Sequence, residues 1–132
     1  MDRVQIIKEN IIMIFFTTKK KLIKTLAEEL AYLQIRADWW YYCFCDDSNP
    51  DKVLDEDTGI TVRDMSSNEL DLVTEVKTIA MRFNILPKVY EEAYKIYDFR
   101  NSGKKDFVPD IELIKKLDRE FCEPMKKRRP VF

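Results

Sequence analysis

Asp55-Glu56-Asp57-Thr58-Gly59 is a dense run of potential cation ligands, and alternating oxygens ahead of a glycine suggest a calcium loop. Such loops need glycine at the sixth position and a bidentate Glu at the twelfth. Counted from Asp55, Gly59 falls one position early and Ser66 occupies the twelfth. The run therefore reads as a solvated acidic turn, with cation binding the lesser alternative, and no metal is expected. General acid–base chemistry needs titratable groups held in unlike environments. The chain has no histidine, and its carboxylates fall on expected polar faces or in turns. Cys43, Cys45 and Cys122 form no CxxC pair, and no serine or cysteine stands in a nucleophile motif. With two glycines in all, no phosphate-cradling loop is present. The expectation is a non-enzyme without catalytic residues or cofactor, its thiols reduced in the cytoplasm or nucleus.

Binding chemistry is better supplied. Trp39, Trp40, Tyr41 and Tyr42 run consecutively, followed by Cys43 and Phe44. At about 150–250 Å² each, the four rings offer about 600–1,000 Å². A monomer's largest exposed apolar patch is about 300–600 Å². Consecutive residues cannot share one face of a helix or strand. One side of the block must pack inward, and the other meets a second layer of core, a protein partner or stacked bases. The tail Lys126-Lys127-Arg128-Arg129-Pro130-Val131-Phe132 pairs a basic run with a terminal hydrophobic anchor. A frayed solvated end, an import signal, a phosphate contact and a docking peptide all fit it. Lys19, Lys20, Lys21 and Lys24 form a second basic cluster.

The elements that position these groups follow from periodicity. Val4, Ile7, Ile11 and Phe15 have helical spacing over about 3–16, although the IIMIFF run also suits a buried strand. Thr17 and Thr18 offer a cap for a second helix whose stripe is Leu22, Leu26, Leu30, Leu33 and Ala37, with Lys24, Glu28 and Glu29 set away from it. The aromatic block is β-prone and ends in Asp46-Asp47-Ser48-Asn49-Pro50, a cluster of turn residues. Asp57-Thr58-Gly59 marks another turn before Ile60-Thr61-Val62, so a short hairpin or irregular β excursion is expected at 38–64. Ser66-Ser67-Asn68-Glu69 reads as a capping box for a helix carrying Leu70, Val73, Val76, Ile79, Ala80 and Phe83. Pro87 opens the next helix, with Val89, Ala93, Ile96 and Tyr97 on one face and a stop at Asn101-Ser102-Gly103. Pro109 opens a last one with Ile111, Ile114, Leu117 and Phe121 inward.

These add up to a mainly α fold, a compact bundle of about five helices in a single domain over 1–132, with a basic C-terminal tail at 123–132. Its 132 residues suit one domain, and 45% hydrophobic composition excludes general disorder. The net charge of −1 gives no overall attraction to polyanions, but its distribution is uneven. Residues 1–24 carry six positive and two negative side chains, whereas 46–64 carry seven acidic against two basic. The apolar run Ile11–Phe16 is far short of the roughly 20 residues of a membrane span, so no membrane association is expected.

Leu86-Pro87, Val89, Ala93, Ile96-Tyr97, Gly103 and Asp110-Ile111-Glu112 together give 69–121 a partial resemblance to the cyclin-like repeat of transcription factor IIB. The resemblance implies three of that repeat's five packed helices. Val108-Pro109-Asp110 stands where the family has Gly-Arg-Ser, and the helices that meet DNA in the family have no counterpart here. The leading functional expectation is a protein-interaction module, an accessory or assembly subunit or homo-oligomer, acting through Trp39, Trp40, Tyr41, Tyr42, Phe44, Val131 and Phe132. The alternative is a nucleic-acid-associated, transcription-linked protein using Lys19, Lys20, Lys21, Lys24, Lys126, Lys127, Arg128 and Arg129.

Overall fold

The second helix organises the molecule. In a computed structural model, which describes residues 3–15, 18–45 and 49–128, α2 spans Lys19–Asp38 and is capped by Thr18, whose hydroxyl accepts from the Lys21 N–H. Its first half is amphipathic, as the Leu22–Leu26–Leu30 stripe requires. From Glu29 to Asp38 every side chain is buried, because other helices enclose that half on all sides. Around it pack α1 (Arg3–Phe15), α3 (Val62–Arg82), α4 (Leu86–Ile96) and a last rod built of α5 (Ile111–Leu117), a π-helical segment (Asp118–Cys122) and α6 (Glu123–Lys127). Ile7 of α1, Val73 and Val76 of α3, Val89 and Ala93 of α4, and Ile114 and Cys122 of the last rod all join the α2 stripe in one core. The fold is mainly α with one short two-stranded antiparallel sheet, as the periodicity implied. The side chains of 10–15 fall outside the described residues, so the Ile11 and Phe15 part of the first stripe does too.

Three local departures from the sequence reading have identifiable causes. The aromatic block is not a strand. It continues α2 as a π-helical turn, Trp39–Cys43, closed by the Phe44 N–H donating to the Trp39 carbonyl at 2.8 Å. A helix already packed on all sides carries its axis onward and overrides the β preference of the rings. The Ser66 capping box is not the start of α3 either. The helix begins four residues earlier, where Thr61 and Asp64 bond each other's backbone N–H groups. Ser66 instead donates to the Ala37 carbonyl at 2.9 Å, and Glu69 pairs with Arg3. Finally, α4 stops at Ile96, and the last rod begins at Ile111 behind an Asp110 cap rather than at Pro109.

The turn between α3 and α4 rests on Asn84, the sole described non-glycine residue with positive φ (57°). That left-handed residue lets the Ile85 N–H reach the Ala80 carbonyl at 3.0 Å while the Ile85 side chain enters the core. The second π segment lies just before Pro124, which has no N–H to give the Glu120 carbonyl and whose ring would crowd it. A widened turn closed from the Glu123 N–H to the Asp118 carbonyl removes that conflict. The hairpin of β1 (Val53–Asp55) and β2 (Ile60–Thr61) turns through Gly59 at φ 74° and leaves all of β1 exposed.

Burial reaches carboxylates that the sequence places on polar faces or in turns. Glu29, Asp38, Glu69 and Asp118 are all buried, whereas Leu70, Phe83 and Ile111, assigned inward, are exposed. Arg36 answers Asp118 across the core at 2.7 Å, with its guanidinium 4.2 Å from the Trp39 ring centroid. Removing one member of a buried pair leaves an uncompensated charge. Asp118→Ala is expected to destabilise the domain by about 3–5 kcal/mol in urea unfolding, with a shifted tryptophan emission as Arg36 loses its anchor. A loss below about 1 kcal/mol would show that the pair does not hold the last rod to α2.

Candidate functional site

Where α2 passes into its π turn, a groove of about 540 Å³ opens between that turn, α3 and the long connection from Tyr97 to Asp110. Tyr41 and Tyr42 form one wall, their rings edge to face at 4.8 Å, and Phe107 from the connection meets Tyr42 at 6.0 Å. Leu70 of α3 adds an exposed apolar contact, and Lys104 and Lys105 stand on the rim. The widened turn divides the aromatic block. Trp39, Trp40 and Phe44 pack edge-on or tilted against one another at 4.8–5.3 Å, with Arg36 against both indoles. Tyr41 and Tyr42 face the groove. Trp39 and Tyr42 also pack against the core, so the block is half-buried as a set.

The floor is a hydrogen-bond cluster around Asp38. Tyr97 donates its hydroxyl to one carboxylate oxygen, and Ser102 donates to both at 2.8 and 3.0 Å. Gln34 donates to the Ser102 hydroxyl at 3.4 Å. Such connections within compact domains usually have about 4–6 residues, and this much longer one is fastened at its middle by Ser102. Phe99, buried against Tyr94 and Tyr97 at 4.7 and 6.1 Å, fastens its start. Burial raises the Asp38 carboxyl above its ordinary value, against the lowering effect of its bonds to Tyr97, Ser102 and Gln34. Burial first, then the neighbouring Asp38, raises the Tyr97 phenol, and the same two causes raise Tyr42. Cys43 is pushed up to about 11 and Cys122 to about 12, chiefly by burial, so both are protonated and weakly nucleophilic at neutral pH.

The predicted basic residues gather elsewhere, at the opposite end of α2. Lys24 lies 4.0 Å from Glu28, and Arg128 reaches the same carboxylate at 3.8 Å, so the two basic regions distant in sequence meet there. Lys19, Lys20 and Lys24 line a cleft of about 440 Å³ with Lys88, Glu91 and Glu92 of α4. Lys21 and Lys127 are exposed, and Lys126 pairs with Glu123 at 3.2 Å. Arg129, Val131 and Phe132 lie outside the described residues. The acidic run 55–57 is the exposed tip of the hairpin. Among the described residues no cluster of three His, Cys, Asp or Glu is placed to hold a metal ion, and no helix is long and apolar enough to cross a membrane. Compared with known proteins, the chain matches no family model, no curated protein and no solved structure.

Sequence reasoning missed Asp38, Leu70, Ser102, Lys104, Lys105 and Phe107 as groove residues. The one available signal was the length of the glycine-containing segment after Tyr97, read as a mere stop.

The Asp38 cluster sets a pH response with a definite sign. With its carboxyl raised in the folded state from the ordinary 3.8, the native chain holds a proton that the unfolded chain has released. That contribution to stability is complete below about pH 4 and is lost as pH rises through the folded value. Asp38→Asn keeps an acceptor for Tyr97 but cannot ionise. Urea titrations from pH 4 to 7 are expected to show the variant gaining stability relative to the parent as pH rises; parallel curves would mean Asp38 ionises freely when buried.

Proposed function

We propose that the chain is a non-enzymatic protein-interaction module, an accessory or assembly subunit, that receives a protein partner in the groove beside Tyr41 and Tyr42. The observation that carries this reading is the groove's composition. Two paired tyrosines, Phe107 and Leu70 present apolar area under a lysine rim, on a wall fixed from below by the Asp38 cluster. Tyrosine is enriched at interfaces because its broad ring contacts cost little rotamer entropy and its hydroxyl tolerates the wet edge. A wall already fastened loses little further freedom on binding.

The test places a photo-reactive phenylalanine analogue at position 107 of the full chain in its native cells. A discrete protein adduct is expected there but not from the analogue at Glu75, exposed on α3, and Leu70→Glu should remove it. No adduct, or the same adduct from both positions, overturns the reading.

A second reading, a nucleic-acid-associated and transcription-linked role, draws on the meeting of Lys24 and Arg128 at Glu28 and on the lysines of the neighbouring cleft. Four phosphate contacts would give a log–log salt slope near −3.6, a loss of roughly 150-fold in duplex affinity between 50 and 200 mM salt. Fluorescence anisotropy with a generic duplex measures this directly, and no binding at 50 mM removes the reading.

A further inference from the structure

The hairpin contributes nothing to the core of its own domain. Residues 51–60 are all exposed, and Val53, Leu54 and Ile60 keep 51, 37 and 37% of their surface in solvent. A two-stranded hairpin is marginal by itself, and both its edges offer unpaired backbone groups. This one is held at its base, where the Val62 N–H donates to the Lys52 carbonyl, the Arg63 N–H to the Pro50 carbonyl, and the Arg63 side chain to Asp51 at 3.0 Å. It projects as an apolar arm whose tip is Asp55-Glu56-Asp57.

The arm and the groove are neighbours. Arg63, which ties the arm down through Asp51, also sets its guanidinium 5.6 Å from the Tyr41 ring centroid, and Tyr41 is a groove wall. One continuous face thus carries an acidic, apolar projection next to a basic, aromatic recess. A face of that kind is complementary to itself under a twofold rotation, in which each projection enters the other's recess.

We infer that the occupant of the groove is the acidic hairpin of a second copy of this chain, exchanged reciprocally in a twofold dimer. The inference rests on the groove being a protein-binding site and names its partner. Val53, Leu54 and Ile60 would meet Tyr41, Tyr42, Leu70 and Phe107, and the Asp55–Asp57 tip would meet Lys104 and Lys105. Using both halves of the face twice is how so small an arm approaches the roughly 800 Å² per partner of a stable interface. The ion pairs lie at the rim and are open to screening, so association should weaken as salt rises.

Sedimentation equilibrium of the full chain tests this with two charge reversals at exposed positions. Lys104→Glu with Lys105→Glu makes recess and projection both acidic; Asp55→Lys, Glu56→Lys and Asp57→Lys make both basic. The parent is expected to dimerise at 50 mM salt, each reversed chain to associate at least about tenfold more weakly, and an equimolar mixture of the two to regain a dimer. Circular dichroism of each variant reports that the helices are intact. A monomeric parent at 50 mM salt, or a dimer that both reversals leave unchanged, overturns the inference. The adduct at position 107 then separates the two claims: twice the chain's mass supports the second copy, an adduct with another protein keeps the groove and sinks the dimer, and no adduct sinks both.

Discussion

Four polar side chains on the enclosed half of α2 set the terms for the rest of the fold. Gln34, Arg36, Asp38 and Glu29 sit on a stretch where every residue is buried, so each must find its hydrogen bonds inside the protein. Arg36 takes Asp118 and thereby fixes the last rod at its widened turn. Asp38 takes Tyr97 and Ser102 and thereby fixes the connection after α4. Apolar contacts hold the same two segments, through Ile114 and Cys122 in the rod and Phe99 in the connection. Their seating also answers the need to satisfy buried polar groups in a low-dielectric interior, and the groove exists because one such answer holds Phe107 opposite Tyr42.

Helix positions were largely legible, because stripes such as Leu22–Leu26–Leu30 and Val73–Val76–Ala80 depend on near neighbours alone. The hairpin was legible for the same reason, through Asp57-Thr58-Gly59. Residues 39–43 were not, since ring-rich runs favour strands unless a preceding helix imposes its axis, and that axis comes from packing far away in sequence. Ser66 and Glu69 have the spacing of a cap but spend their side chains on Ala37 and Arg3, contacts that spacing cannot foretell. The groove was the least legible part. Asp38 and Ser102 lie 64 residues apart, and no local pattern marks either as the other's partner.

The uneven charge distribution acquires a spatial meaning. Lys19, Lys20 and Lys24, with Arg128 brought in through Glu28, occupy one end of α2, and the acidic hairpin and aromatic groove occupy the other. At about 1.5 Å per residue the two ends are roughly 30 Å apart. Two surfaces at that separation do not compete for one ligand. A protein held in the groove, as proposed, would leave the basic end open.

The π turn at Trp39–Cys43 makes the length of the aromatic run a setting of phase. A π turn is in effect an α-helix that has accommodated one extra residue, and each residue of α-helix turns the chain by about 100°. Deleting Trp39 or Trp40 would let the turn relax to ordinary α geometry with both ring types still represented. The deletion would also swing Tyr41 and Tyr42 around the axis, away from Phe107 and toward the indole side. In this stretch the number of residues sets which rings face the groove, and a one-residue change in length would be felt as a rotation.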